Sequence, residues 1–100
     1  MESKENIIII GKEYFDSING NSYHTSEVFV DGNMIGKSNV TYGYGDHYQQ
    51  TAIEVLKSKG YLKDLIQYKN GGSEALYQYC DRKGIKLITR KIEGLKRKQL

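Results

Sequence analysis

The chain has 100 residues, of which 15 are basic and 12 acidic, for a net charge of +3, with one Cys, nine Tyr and no Trp or Pro. That length allows one domain, and a single Cys excludes an intrachain disulfide and any multi-Cys zinc or iron–sulfur site. The longest aliphatic run, Ile7–Ile10, is far short of the roughly 20 apolar residues a membrane span needs, so no membrane partner is expected.

The opening Met1-Glu2-Ser3-Lys4-Glu5 is mixed in charge and has no signal-peptide core, which predicts a protein of the cytoplasm. Ile7 to Ile18 is β-rich. Asn19-Gly20 then offers a two-residue hairpin turn, because both residues accept positive φ cheaply, and Asp31-Gly32 repeats the signal. Three antiparallel strands follow, near 7–18, 21–30 and 33–42. With two-residue turns, position 18 opposes 21, 15 opposes 24 and 28 opposes 35. One face then collects Ile9, Phe15, His24, Val28, Val30 and Ile35, and the other Ile8, Ile10, Tyr14, Tyr23, Phe29 and Met34. Both faces carry apolar residues, and a bulge near Gly11 would account for the imperfect alternation.

Asp46 reads as a helix N-cap with Gln49 completing a capping box. Tyr48, Ala52, Val55 and Leu56 fall on one helical stripe and Gly60 suits the stop, so a helix is predicted over 47–59. Leu62, Leu65 and Ile66 fit one or two helical turns. After Gly71-Gly72, Ser73 is placed to cap a helix over 74–83, with Cys80 on its apolar side as a small core residue. Ile85 to Ile92 is compatible with a fourth strand. The expected fold class is α+β: a three-stranded antiparallel meander followed by helices packed on one face, in the order β-β-β-α-α-β. Residues 1–92 form the domain and 93–100 a basic tail, frayed or turned once more as helix.

Charge is unevenly spread. Residues 1–81 hold seven basic and eleven acidic side chains, a balance of −4. Residues 82–100 hold Arg82, Lys83, Lys86, Arg90, Lys91, Lys96, Arg97 and Lys98 against Glu93, a balance of +7. Such asymmetry suits an anionic partner, nucleic acid or an acidic protein surface, and equally a solvated tail that aids solubility. Ile, Lys, Tyr and Asn make up 38 residues, which AT-rich codons explain as readily as a binding task does.

The densest polar and aromatic run is Thr41-Tyr42-Gly43-Tyr44-Gly45-Asp46-His47-Tyr48. Its glycines permit close backbone approach, and the helix N-terminus beyond them attracts anions, although Asp46 already supplies a negative charge there. Tyr42, Tyr44 and Tyr48, with Tyr23, His24, Asp46 and His47, are the candidate partner- or ligand-binding residues; the alternative is a tight connection whose tyrosines are core. Arg82, Lys86, Arg90, Lys91, Lys96, Arg97 and Lys98 are the candidates for an anionic partner. His24, His47, Asp46 and Cys80 have no metal-ligand or catalytic spacing, so no metal, no cofactor and no enzyme activity are expected.

Asn21-Ser22-Tyr23-His24, Val28-Phe29-Val30-Asp31-Gly32, Ile35-Gly36-Lys37 and Tyr42-Gly43-Tyr44-Gly45-Asp46-x-Tyr48-x-Gln50-Thr51-Ala52 together resemble a group of small phage and prophage proteins. The resemblance covers roughly residues 14–60. It implies a mobile-element origin, action in the cytoplasm of a host cell, and work by binding, including the blocking of a host defence protein or protein–nucleic-acid complex. Nucleic-acid binding through the basic end, and an oligomeric sponge for a nucleotide signal, a homodimer for example, are the alternatives. A more local likeness, from Ser26 to Gly32 and Ile35 to Lys37, is to double-stranded-RNA-binding domains. Where that family opens its last helix with phosphate-holding lysines, this chain has Asp46-His47-Tyr48-Gln49-Gln50, and the family's first helix is missing.

Overall fold

The computed structural model describes residues 6–100; the segment 1–5, on which the expectation about a signal peptide rests, lies outside the described residues. The fold is α+β. Strands β1 (Asn6–Asp16) and β2 (Asn21–Val30) form a long antiparallel pair. Two shorter strands, β3 (Asn33–Lys37) and β4 (Thr41–Tyr42), pair antiparallel with the far side of β2. Helices α1 (His47–Ser58) and α2 (Leu76–Lys83) follow, and β5 (Lys86–Leu95) then lies parallel to β1. The sheet order is β3-β2-β1-β5, with β4 beside β3 on the same edge of β2. A 3₁₀ turn, Arg97–Gln99, ends the chain.

Alternation decides which face is covered. Ile7 and Ile9 of β1 and Val28 and Val30 of β2 are buried together with Tyr48, Ala52, Val55 and Leu56 of α1 and Leu76, Tyr79 and Cys80 of α2. Both helices therefore pack on one side of the sheet. The principal extents of 51 × 34 × 19 Å describe a slab one sheet and one helical layer thick. The layers approach closely at Gly11, where a Cβ would lie 2.5 Å from the Tyr48 ring. Gly11 is no bulge: β1 and β2 pair without interruption from Ile7↔Val30 to Asp16↔Asn21.

Several boundaries differ from the sequence reading, each for a local reason. The first hairpin loop has four residues, not two, so Phe15 opposes Ser22 and Glu13 opposes His24. The Asp16 carboxylate accepts from the backbone of Ile18 and Asn19 and from the Asn19 amide, and Gly20 N–H donates to Asp16 C=O at 2.7 Å. These bonds draw Ser17 and Ile18 into the turn. The shift is two residues, so each side chain keeps its face. The second turn has the expected Val30↔Asn33 pairing, but Ile35 is an extra residue and Val28 faces Gly36. The expected third strand is broken at 38–40 into β3 and β4. Residues 61–70 are not helical: Leu62 and Leu65 plug the core from a loop that carries a single Gln67–Ser73 bridge, and Ile66 is exposed.

The caps also differ. The Asp46 side chain makes no cap bond to α1. Ala75, not Ser73, is the N-cap of α2, and its N–H donates to Gln78 Oε1 at 3.0 Å. Glu74 is the reason: it is buried and bridges the loop to α2, accepting from Ile66 N–H and, in a two-pronged pair, from Arg82 at 2.8 and 3.0 Å. The last strand runs to Leu95, three residues past its expected end, through a bulge at Glu93-Gly94. The basic tail is thereby half strand and half 3₁₀ turn.

Gly11→Ala should push Tyr48 and α1 off the sheet and lower stability by about 2 kcal/mol, as overpacking does. Thermal unfolding should register this as a fall in Tm of about 10 °C. An unchanged midpoint would mean that the Tyr48 seat is not a tight one.

Candidate binding surface

The Tyr42-to-Tyr48 run turns a corner from β4 to α1, and each tyrosine takes a different place. Tyr42 extends the ladder on β2, opposite Tyr23, and Gly43 N–H donates to Ser22 C=O at 3.0 Å. Gly43 then adopts φ +151°, and a Cβ there would sit 2.1 Å from His47 Nδ1. Only glycine lets His47 close against the turn. Tyr44 projects at the corner and is 74% exposed, whereas Tyr48 is core, 5% exposed beneath Gly11. Tyr48 is therefore removed from the candidate surface.

His24 ties this corner down. It is buried, and its Nδ1 lies 3.2 Å from the Gly43 carbonyl and its Nε2 2.7 Å from Thr51 Oγ1. A carbonyl only accepts, so Nδ1 carries the proton and Nε2 accepts from the Thr51 hydroxyl. The His47 ring centroid is 5.1 Å away. Desolvation by burial holds the His24 pKa below the usual histidine value, against the raising effect of the Gly43 bond, with His47 lowering it further and Glu13 raising it. His24 is a structural tie rather than a contact residue. Cys80 is buried in the core. Among the described residues no group of three His, Cys, Asp or Glu side chains is placed to hold a metal ion.

The sheet's other face carries no helix. Register puts Ile8, Ile10, Lys12 and Tyr14 of β1 on it, beside Phe29, Glu27 and Tyr23 of β2 and Ile88, Arg90, Ile92 and Leu95 of β5. Tyr42 joins them from β4. Its character changes along the strands. One end is aliphatic, built on Ile8, Ile10, Phe29 and Ile88. A polar band follows, in which Lys12 and Lys37 flank Glu27 at 2.9 and 4.0 Å. The other end is aromatic: the Tyr14 and Tyr23 rings stack at 6.4 Å and 22°, and Tyr23 meets Tyr42 edge-on at 5.9 Å. The chain end folds back over it, with the Arg97 guanidinium 5.7 Å from the Tyr23 ring centroid.

The basic candidates divide into two groups. Arg82 is held by Glu74, and Lys91 by Glu93 at 2.9 Å and Glu13 at 3.8 Å, with Lys91 also donating to the Gly45 carbonyl. Lys83 pairs with Asp64 at 2.5 Å, which together with the Tyr79 hydroxyl brings the Asp64 pKa down to about 2. Burial, then the bond to Asp64, pushes Tyr79 up to about 12. Among the described residues Lys86, Arg90, Lys96, Arg97 and Lys98 make no ion pair. Arg90 lies on the open face, and Lys96, Arg97 and Lys98 follow Leu95 at its aromatic end.

Two clefts on the helix side include Asp46, and a third, of 540 Å³, runs from Lys37 and Thr41 to His47, Thr51 and Glu54 without it. Of the first two, one of 440 Å³ is lined by Tyr42, Gly43, Tyr44, Asp46, His47 and Gln50. The other, of 590 Å³, separates α1 from the 71–77 segment and has Asp46 and Glu54 on its wall with Lys57. Asp46 belongs to both. Comparison with models of protein families, with curated proteins and with solved structures gave no match. No helix among the described residues is long and apolar enough to cross a membrane.

His24 sets a pH dependence whose sign is fixed by its depressed folded-state pKa. Stability is complete above the unfolded value of about 6.5 and is lost as pH falls below it toward the folded value. Asp16, Asp64 and Glu74 are also depressed, and their contribution is lost only in the acid range below about 4.5. Thermal unfolding between those two limits should show a falling Tm that His24→Gln abolishes. A slope that persists in the variant would assign the effect elsewhere.

Proposed function

We propose that this chain is a non-catalytic binding protein of phage type that acts in the host cytoplasm as a counter-defence inhibitor, docking the aromatic end of its open sheet face on a host defence protein or complex. The observation that carries the reading is the row of Tyr14, Tyr23 and Tyr42 on a face with no helix over it, where Tyr42 is 59% exposed. Tyrosine contributes large contact area at a small entropy cost, and interfaces concentrate their energy in such residues. The likeness of Tyr42-Gly43-Tyr44-Gly45-Asp46 and its flanks to phage proteins supports the setting. The sponge reading has less support, because each of the three clefts carries a carboxylate, Asp46 or Glu54, that repels a nucleotide phosphate.

Host cells that express the protein should plate a defence-sensitive phage more efficiently than cells that do not. The pair Tyr23→Ala and Tyr42→Ala should abolish the gain while the purified variant still unfolds cooperatively. Full protection by the variant would remove the face from the function, and no gain with the wild-type chain would remove the counter-defence role.

A further inference from the structure

The aromatic end of the open face has a chemistry narrower than general stickiness. Its three rings sit on neighbouring strands, β1, β2 and β4, whose pitch is about 4.8 Å. They form a row that crosses the sheet rather than running along it. At the β1 side the row meets Leu95 of β5, which opposes Tyr14, and then the run Lys96-Arg97-Lys98. Arg97 brings a planar cation onto the Tyr23 ring. Arg90, two positions back on the same face beyond Ile92 and opposite Ile10, is exposed and without an acidic partner among the described residues. Glu27 is the one carboxylate on the face's central band, and Lys12 and Lys37 already neutralise it. Asp16 is close enough to Arg97 to feel its charge, yet is occupied by the hairpin loop.

A second copy of the chain is a poor match for this end, since it would bring two cationic patches together with no free carboxylate to offset them: Glu27 is held by Lys12 and Lys37, and Asp16 by the hairpin loop. An anion with flat, apolar groups fits it. We propose that the aromatic end of the open sheet face binds single-stranded nucleic acid, with bases stacked on Tyr42, on the Tyr14–Tyr23 pair and against Arg97, and phosphates on Arg90 and Lys98. Single strands expose the base faces that a duplex hides, and aromatic rows on a sheet flanked by cations bind them with little sequence preference. This rests on the reading of the same face as the working surface and names what it meets: the nucleic-acid strand of a host complex.

Fluorescence anisotropy tests it with labelled oligo-dT and oligo-U of about 12 nucleotides and a duplex of equal length, each at about 50 and about 200 mM salt. Both single strands should bind more tightly than the duplex, and salt should weaken them. Tyr42→Ala should cost about ten-fold in affinity and Tyr42→Phe less than about two-fold, because the ring does the stacking. Arg97→Ala should lower the salt slope by about one. Tyr42 is exposed, so its variants should keep the wild-type Tm. No binding at low salt, equal binding of the duplex, or full affinity in Tyr42→Ala would overturn the proposal. So would sedimentation showing that the same face is closed by a second copy. If oligonucleotides fail to bind while Tyr23→Ala with Tyr42→Ala still abolishes phage protection, the nucleic-acid inference falls and the docking face stands. If the substitutions change neither, both fall.

Discussion

The seat of Tyr48 on Gly11 fixes the geometry on which everything else depends. It places α1 across the middle of the β1–β2 pair at a distance that no other residue at position 11 would allow. A chain of this length has one helical layer to spend on one sheet, and α1 and α2 use it on the Ile7, Ile9, Val28 and Val30 side. The opposite side is consequently left with aliphatic and aromatic side chains and no helix over them. Hydrophobic burial thus explains the core and, by its one-sidedness, the surface.

Much of this was legible in residue spacing. Asn19-Gly20 and Asp31-Gly32 locate both turns, and the apolar stripe from Tyr48 to Leu56 locates α1 within one residue at its end. The face assignment survives even though the first register is off by two, because side-chain direction has a period of two. What spacing did not reveal was set by side-chain hydrogen bonds that compete with backbone patterns. Asp16 turns a two-residue hairpin into a four-residue loop. Glu74, drawn into the interior by Arg82, moves the start of α2 past Ser73. In 61–70 the helical spacing of Leu62, Leu65 and Ile66 is overridden, with Leu62 in a left-handed conformation at φ +61°.

The candidate surface was only partly legible. Tyr14 and Tyr23 fall on one face by alternation alone, but alternation does not say which of two apolar faces the helices will cover. Tyr14 belongs to the open face although it lies outside the Tyr42–Tyr48 run, and Tyr48 lies in that run although its helical stripe marks it as core. The glycine at position 11 carries the missing signal: in an aliphatic strand it can mark a close neighbour rather than a bulge, and here that neighbour is Tyr48 on the covered face.

Net charge in the last fifth of the chain is likewise less informative than its pairing. Arg82, Lys83 and Lys91 are spent on Glu74, Asp64, Glu13 and Glu93, and these pairs bind α2 and β5 into the fold. The remainder is distributed along β5 and its 3₁₀ turn. That strand is the parallel edge of the sheet, where unpaired backbone groups would otherwise recruit another strand; Lys86 and Arg90 at that edge discourage such pairing. The cations that border the tyrosine row are different ones, Lys96, Arg97 and Lys98, which follow Leu95 at the aromatic end. A partner that neutralised them would at once gain Coulomb energy and cover the apolar face that the single helical layer leaves bare.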